Sequence, residues 1–188
     1  DAGFYCGGGS GSAQPSGVGD TRNGPCPEGF YCPKGSANPL RCPPGYYCPS
    51  QQMDESDYLT NLCEAGYSCS GAAINKCGGT DAINNPAAID CSNCNSCSAI
   101  NECQKGYYCI EGSTKPTGEP CPSGTYNDET GKSSLNDCKD CDPGFYCPDK
   151  ALVDQVPCQA GYYCPNSTMV ETTEYFCPIG SKCPEGSD

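Results

Sequence analysis

The sequence predicts small disulfide-rich repeats, an elongated chain of mostly turns and short antiparallel two-stranded ribbons with almost no helix. Three observations carry this expectation. Cysteine fills 21 of 188 positions, a density expected of chains oxidised outside the cytosol. Gly and Pro supply 24 and 18 positions against four Phe, two Met and no Trp, so no sizeable apolar core can offset the entropy of ordering the backbone and cross-links must do so instead. A unit Cys-x-x-Gly-aromatic-Tyr-Cys recurs along the chain with a six-residue cysteine offset, and a repeated unit points to stacked modules rather than one core.

The unit reads CPEGFYC at Cys26–Cys32, CPPGYYC at Cys42–Cys48, CEAGYSC at Cys63–Cys69, CQKGYYC at Cys103–Cys109, CDPGFYC at Cys141–Cys147 and CQAGYYC at Cys158–Cys164, and degenerates to CPIGSKC at Cys177–Cys183. The glycine three places after the first cysteine suits a tight turn with positive φ. Proline after the first cysteine, as at Pro27, Pro43 and Pro178, fixes φ and reduces the freedom of the unfolded chain. The aromatic pair that follows favours a short extended segment with one ring on each side.

Residues 2–6, AGFYC, match a unit without its first cysteine. The odd cysteine total is then expected to arise from a partner lying before Asp1 in a longer chain, or else from a free or intermolecular thiol.

Ten of thirteen tyrosines fall in these units, counting Tyr5. Each ring is expected to shield sulfur and backbone in a miniature core. The alternative is an aromatic ladder that binds glycan or a partner chain, with Tyr47, Tyr108 and Tyr163 as candidates for self-association.

A second form opens at Cys121: CPSGTYNDETGKSSLNDCKDC, then DPGFYC. Its polar loop carries the turn signal Asn127-Asp128-Glu129-Thr130-Gly131. The pattern Cys-Pro-x-Gly-Thr-Tyr, a polar loop, Cys-x-x-Cys and then Gly-Phe-Tyr-Cys-Pro resembles the ephrin-receptor-like cysteine-rich repeat, a relative of tumour-necrosis-factor-receptor and EGF-like modules. The resemblance covers residues 1–6, 26–50, 63–69 and 103–183. It implies a disulfide-rich extracellular repeat of the kind found in receptor ectodomains and in large protist surface proteins similar to flagellar mastigoneme filaments, and it carries over no catalytic residue.

Two disulfide schemes are open to the repeat. The cysteines of one unit could bridge each other around the glycine turn. Alternatively, an extended aromatic pair pulls those sulfurs apart, and since a bridge needs Cα atoms within about 7 Å, successive units cross-link instead. The resemblance favours the second scheme, because related modules close the Gly-Thr-Tyr loop locally and cross-link the next cysteines alternately. The expected pairs are therefore Cys121–Cys138, Cys141–Cys158, Cys147–Cys164, Cys42–Cys63, Cys48–Cys69 and Cys6–Cys32, with Cys26 left for the cysteine before Asp1.

The repeats divide the chain into residues 1–76, which include a Gly/Ser-rich insertion at 7–25, an irregular cysteine-rich segment at 77–120, and ephrin-receptor-like repeats at 121–188. The insertion is expected to be a tolerated loop. A second insertion, GGTDAINNPAAID at 78–90, carries Ile83 and Ile89, which are candidates for a contact with another subunit.

A net charge of −13 argues against nucleic acid and against adsorption to anionic lipid, and the sequence holds no apolar run long enough to span a membrane. Cysteines 91, 94 and 97 have the spacing of metal ligands, but the chain has no histidine and its other cysteines call for oxidation. Without histidine, a nucleotide loop or paired buried carboxylates, an enzyme is not expected, and no cofactor is. Asp54, Glu55 and Asp57 are expected to be solvated, with weak calcium binding as the alternative. Asn166-Ser167-Thr168 is an N-glycosylation acceptor.

The expected role is structural: stacking and self-association of repeats in an extracellular filament, appendage or surface coat, on the cell or flagellar surface. Its partners would be copies of the chain or other surface proteins and glycans. The alternative is a ligand- or glycan-binding ectodomain of a receptor or adhesion protein.

Overall fold

The computed structural model describes residues 1–8, 12–15, 23–74, 102–172 and 175–188. Each Cys-x-x-Gly unit begins with a β-turn. In CPEGFYC the Phe30 N–H donates to the Pro27 carbonyl at 3.2 Å, and Gly29, the third residue of the turn, has φ of +79°. That left-handed position is open to glycine without a Cβ penalty and is the signature of a type II turn. The same bond closes Pro43 to Tyr46, Gln104 to Tyr107, Pro122 to Thr125, Asp142 to Phe145 and Gln159 to Tyr162.

The turn decides the disulfides. It sends the aromatic pair back past the first cysteine, so the two cysteines of a unit come to Cα separations of 5.6 to 6.2 Å and bridge each other. The pairs are Cys26–Cys32, Cys42–Cys48, Cys63–Cys69, Cys103–Cys109, Cys141–Cys147, Cys158–Cys164 and Cys177–Cys183. This corrects the cross-linked scheme. Cys141–Cys158, Cys147–Cys164, Cys42–Cys63, Cys48–Cys69 and Cys6–Cys32 do not form, because an extended pair that follows a chain reversal runs toward the first cysteine, not away from it. Cys26 is bridged, and among the described residues the free cysteine is Cys6. Cys121–Cys138 is as expected.

Beyond the turn, each aromatic pair forms a ribbon with the residues just before the next unit. In chain order the strands are β1 (Phe4–Cys6), β2 (Asn23–Pro25), β3 (Phe30–Tyr31), β4 (Leu40–Arg41), β5 (Tyr107–Tyr108), β6 (Glu119–Pro120), β7 (Thr125–Tyr126), β8 (Lys139–Asp140), β9 (Phe145–Tyr146) and β10 (Val156–Pro157). They pair antiparallel as β1–β2, β3–β4, β5–β6, β7–β8 and β9–β10. Single bridges at Tyr46–Leu62, Tyr67–Glu102 and Tyr162–Phe176 repeat the pattern. Among the described residues the α-helix is confined to α1 (Glu55–Tyr58).

Contacts divide the chain into two units, one of residues 1–102 with 110–116 and one of residues 103–109 with 117–188. In the first, the Cys42–Cys48 bridge packs with Met53, Tyr58, Tyr31 and Tyr46, and Cys63–Cys69 with Ala73, Tyr47 and Tyr67. In the second, Cys158–Cys164 packs with Met169, Tyr146, Tyr162 and Tyr175. These are miniature cores, each built on a sulfur bridge and covered by tyrosine. The 76/77 boundary, cysteines 77, 91, 94 and 97, and the self-association candidates Ile83 and Ile89 lie outside the described residues.

Candidate functional site

The feature that recurs in both units is a backbone ladder centred on the turn glycine. Within the first, the N–H of Cys42 donates to the carbonyl of Gly29 at 2.9 Å, and the N–H of Gly29 donates to the carbonyl of Cys48 at 2.9 Å. The glycine of one repeat thus exchanges both its hydrogen bonds with the two cysteines of the next. Within the second unit, Gly144 does the same with Cys158 and Cys164, both at 2.8 Å. In these repeats the disulfide closes the repeat on itself, and peptide hydrogen bonds join it to its successor within the same unit.

A third contact reaches one repeat further. Shortly after the second cysteines Cys48, Cys69, Cys109, Cys147, Cys164 and Cys183 the chain turns through a left-handed residue: Gln52, Ala72, Gly112, Ala151, Thr168 and Gly186 respectively. The N–H of that residue donates to a first-cysteine carbonyl in the preceding repeat, as from Gln52 to Cys26 and from Ala151 to Cys121. Its own carbonyl lies against a glycine one repeat earlier still: a Cβ on Gly3 would come within 2.2 Å of the Gln52 oxygen, and one on Gly45 within 2.7 Å of the Gly112 oxygen. The glycine is required twice, for its φ and for the space it leaves.

Asn127 is more than the start of a turn signal, the only role that sequence reasoning gave it. In CPSGTYN it stands where other units have their second cysteine, and it is fully buried. Its backbone keeps the ladder, accepting from Gly106 N–H at 2.8 Å and donating to Leu152 at 2.9 Å. Its side chain replaces the bridge with hydrogen bonds, donating from Nδ2 to the Tyr107 carbonyl at 2.9 Å and accepting from Glu129 N–H at 3.0 Å. Cys121, without a partner at position 127, reaches Cys138 instead. The signal was present in the alignment of CPSGTYN under its sister units.

The loop so enclosed displays charge. Lys139 Nζ meets Asp128 at 2.6 Å and Glu129 at 3.0 Å, and Lys132 meets Glu129 at 2.7 Å. Lys139 holds Asp128 below the usual carboxylate range, Lys132 and then Lys139 do the same to Glu129, and the bond to Asp128 chiefly raises Lys139. Asp137 accepts from the N–H groups of Ser133 and Ser134 at 3.0 and 2.9 Å, which lowers its pKa and sets the short turn before Cys138.

Asp54 and Asp57 are occupied in capping α1. Asp54 accepts from the Ser56 N–H and hydroxyl at 2.8 and 2.7 Å, and Asp57 accepts from the Asp54 N–H at 2.8 Å, the reciprocal arrangement of a capping box. Among the described residues no group of His, Cys, Asp or Glu is placed to hold a metal ion.

Of the aromatic candidates, Tyr47, Tyr108 and Tyr163 are all partly buried. Tyr47 packs on the Cys63–Cys69 cluster and Tyr163 against Tyr175. Outward-facing apolar side chains include Leu59, Leu62 and Ile110 in the first unit and Val153, Val170 and Phe176 in the second. Asn166 is exposed. Among the described residues no helix is long and apolar enough to cross a membrane. Bridging of this density is typical of extracellular and secreted proteins. No known protein family and no curated protein matches the sequence.

Proposed function

We propose that the chain is a structural component of an extracellular filament, appendage or surface coat, built from self-stapled repeats that associate with copies of the chain or with other surface proteins and glycans. The observation that carries this reading is the reciprocal bond set between turn glycines and the cysteines of the next repeat, exemplified by Gly29 with Cys42 and Cys48. Stability gathered from nearest neighbours suits a protein whose task is to persist and to propagate a repeat. Neither catalysis nor a cofactor is needed for such a role. The resemblance to ephrin-receptor-like repeats and to mastigoneme-type surface proteins supports the same placement, on the cell or flagellar surface, with Asn166 glycosylated.

A second reading, a ligand- or glycan-binding ectodomain, is favoured by one feature: the loop closed by Cys121–Cys138, which presents Asp128, Glu129 and Lys139 to solvent.

Analytical ultracentrifugation of the secreted protein across salt and calcium concentrations separates the two. At a net charge of −13, like-charge repulsion opposes association at low ionic strength, so a structural component assembles progressively as salt or calcium rises. A monomer under every condition would leave the ectodomain reading. Glycopeptide mass spectrometry showing unmodified Asn166 would remove the glycan.

A further inference from the structure

Two ring pairs form where the Cys158–Cys164 repeat meets the residues just before Cys177. Tyr163 and Tyr175 have ring centroids 5.5 Å apart at an interplanar angle of 57°. Tyr162 and Phe176 are at 5.0 Å and 40°. The backbone holds both pairs in register, through the Tyr163 N–H bond to the Tyr175 carbonyl at 3.1 Å and the antiparallel bridge of Tyr162 with Phe176. Tyr163 and Tyr175 are each partly exposed, so an oxidant reaches them without unfolding the repeat. The closer Tyr31–Tyr58 pair, at 4.6 Å, differs in this respect, because Tyr58 is buried at 9% exposure.

The geometry points to Tyr163 and Tyr175 as a dityrosine cross-linking site, coupled within one chain by a haem peroxidase using hydrogen peroxide. Each phenol gives one electron and its hydroxyl proton to the oxidised haem, and the peroxide ends as two waters. The two tyrosyl radicals join through ring carbons ortho to oxygen. The hydrogens on those carbons then move to the oxygens and restore both aromatic rings, so each tyrosine has lost one hydrogen in all. Two rings held against each other meet as a preorganised pair, which replaces a bimolecular encounter with an intramolecular one. The ring paired with Tyr162 is that of Phe176, which carries no phenol with which to couple.

The product would be a carbon–carbon staple across residues 163–175, in a protein otherwise held by bonds that thiols can reduce. The proposal rests on the extracellular placement above only for its supply of oxidant, and because the bond forms within one chain it is independent of assembly.

The test mixes unlabelled and nitrogen-15-labelled copies of the intact secreted protein, treats them with a plant haem peroxidase and dilute hydrogen peroxide, and maps cross-linked peptides by mass spectrometry after reduction. The expected species joins the peptides of Tyr163 and Tyr175, is lighter by two hydrogens, and carries one isotope throughout. Tyr163→Phe and Tyr175→Phe each abolish it while leaving the disulfide map unchanged, and Phe176→Tyr adds a second link to Tyr162. Failure to form dityrosine, dityrosine elsewhere without the 163–175 species, or a 163–175 species found only between differently labelled copies would each overturn the assignment.

Discussion

A Cβ on Gly106 would lie 2.3 Å from the carbonyl oxygen of Ala151, a residue that follows the next repeat but one. Real Cβ atoms do not approach backbone oxygen so closely, so this glycine is held to its identity by a neighbour 45 residues away in sequence. Gly161 has a similar φ, +91° against +83°, but no atom stands within 4 Å of where its Cβ would be. Gly161→Ala is expected to cost about 1–2 kcal/mol, the penalty of a left-handed alanine. Gly106→Ala should cost more, because the backbone at Ala151 must also move. Denaturant midpoints of the oxidised variants measure the difference, and equal losses would show that the close approach is not a constraint.

The residue on the other side of that contact offers the reverse experiment. Ala151 has φ of +58°, a conformation that glycine adopts freely. Ala151→Gly should raise stability by up to about 1 kcal/mol, the relief of strain less the entropy cost of a glycine in the unfolded chain. A rise in melting temperature is the expected reading.

Asn127 is expected to be the most sensitive polar residue of its repeat. Asn127→Ala leaves the Tyr107 carbonyl without its side-chain donor and should destabilise by about 1–3 kcal/mol, the usual cost of an unmet buried polar group. Asn127→Cys restores the spacing of the sister units. The introduced thiol should draw Cys121 into a bridge within its own unit and release Cys138, which thiol labelling and non-reducing peptide mapping would detect.

Bridge removal should scale with the loop closed. Replacing Cys141 and Cys147 together by serine opens a separation of 6 residues, and replacing Cys121 and Cys138 one of 17. Chain-entropy reasoning gives about 2 kcal/mol for the first and about 3 kcal/mol for the second. Unfolding titrations of the two double variants test the order.

Acid should loosen α1. Hydrogen bonding to the Ser56 hydroxyl, and then to the Ser56 and Asp57 N–H groups, holds Asp54 below the ordinary aspartate value. A carboxylate depressed in the folded state adds stability above the unfolded value, about 3.9, and that contribution is lost as pH falls through the folded one. An NMR titration should therefore show Glu55–Tyr58 fraying on acidification, while Asp54→Ala, weaker by about 1 kcal/mol at neutral pH, should have lost that part of the response.

Much of the repeat was legible before its coordinates. The fixed cysteine offset, the turn glycine and the paired aromatics specify a local event, and local events are what spacing and propensity report. The turn at Gly29 and the ribbon at Phe30–Tyr31 follow from that information. The cap on α1 was not drawn from Asp54-Glu55-Ser56-Asp57, because four polar residues in a row read equally well as solvated charge until the reciprocal bonds of Asp54 and Asp57 are seen. Asn127 was legible only as part of a turn signal, because the bond that its side chain donates leaves its own unit: Tyr107, which receives it, belongs to the repeat before.

By itself the sequence determined a chain of disulfide-rich repeats, their turns, their ribbons and their lack of a common apolar core, since each depends on residues a few places apart. Which cysteine meets which was decided in three dimensions. Fixed spacing is compatible with bridges inside a unit or between units, and the choice falls to the direction in which the chain leaves the turn: reversed by left-handed Gly144, it returns Cys147 to within 6.2 Å of Cys141. The link between repeats was decided there too, because it consists of peptide groups that every residue carries. No side chain announces that Gly144 will exchange both its hydrogen bonds with Cys158 and Cys164.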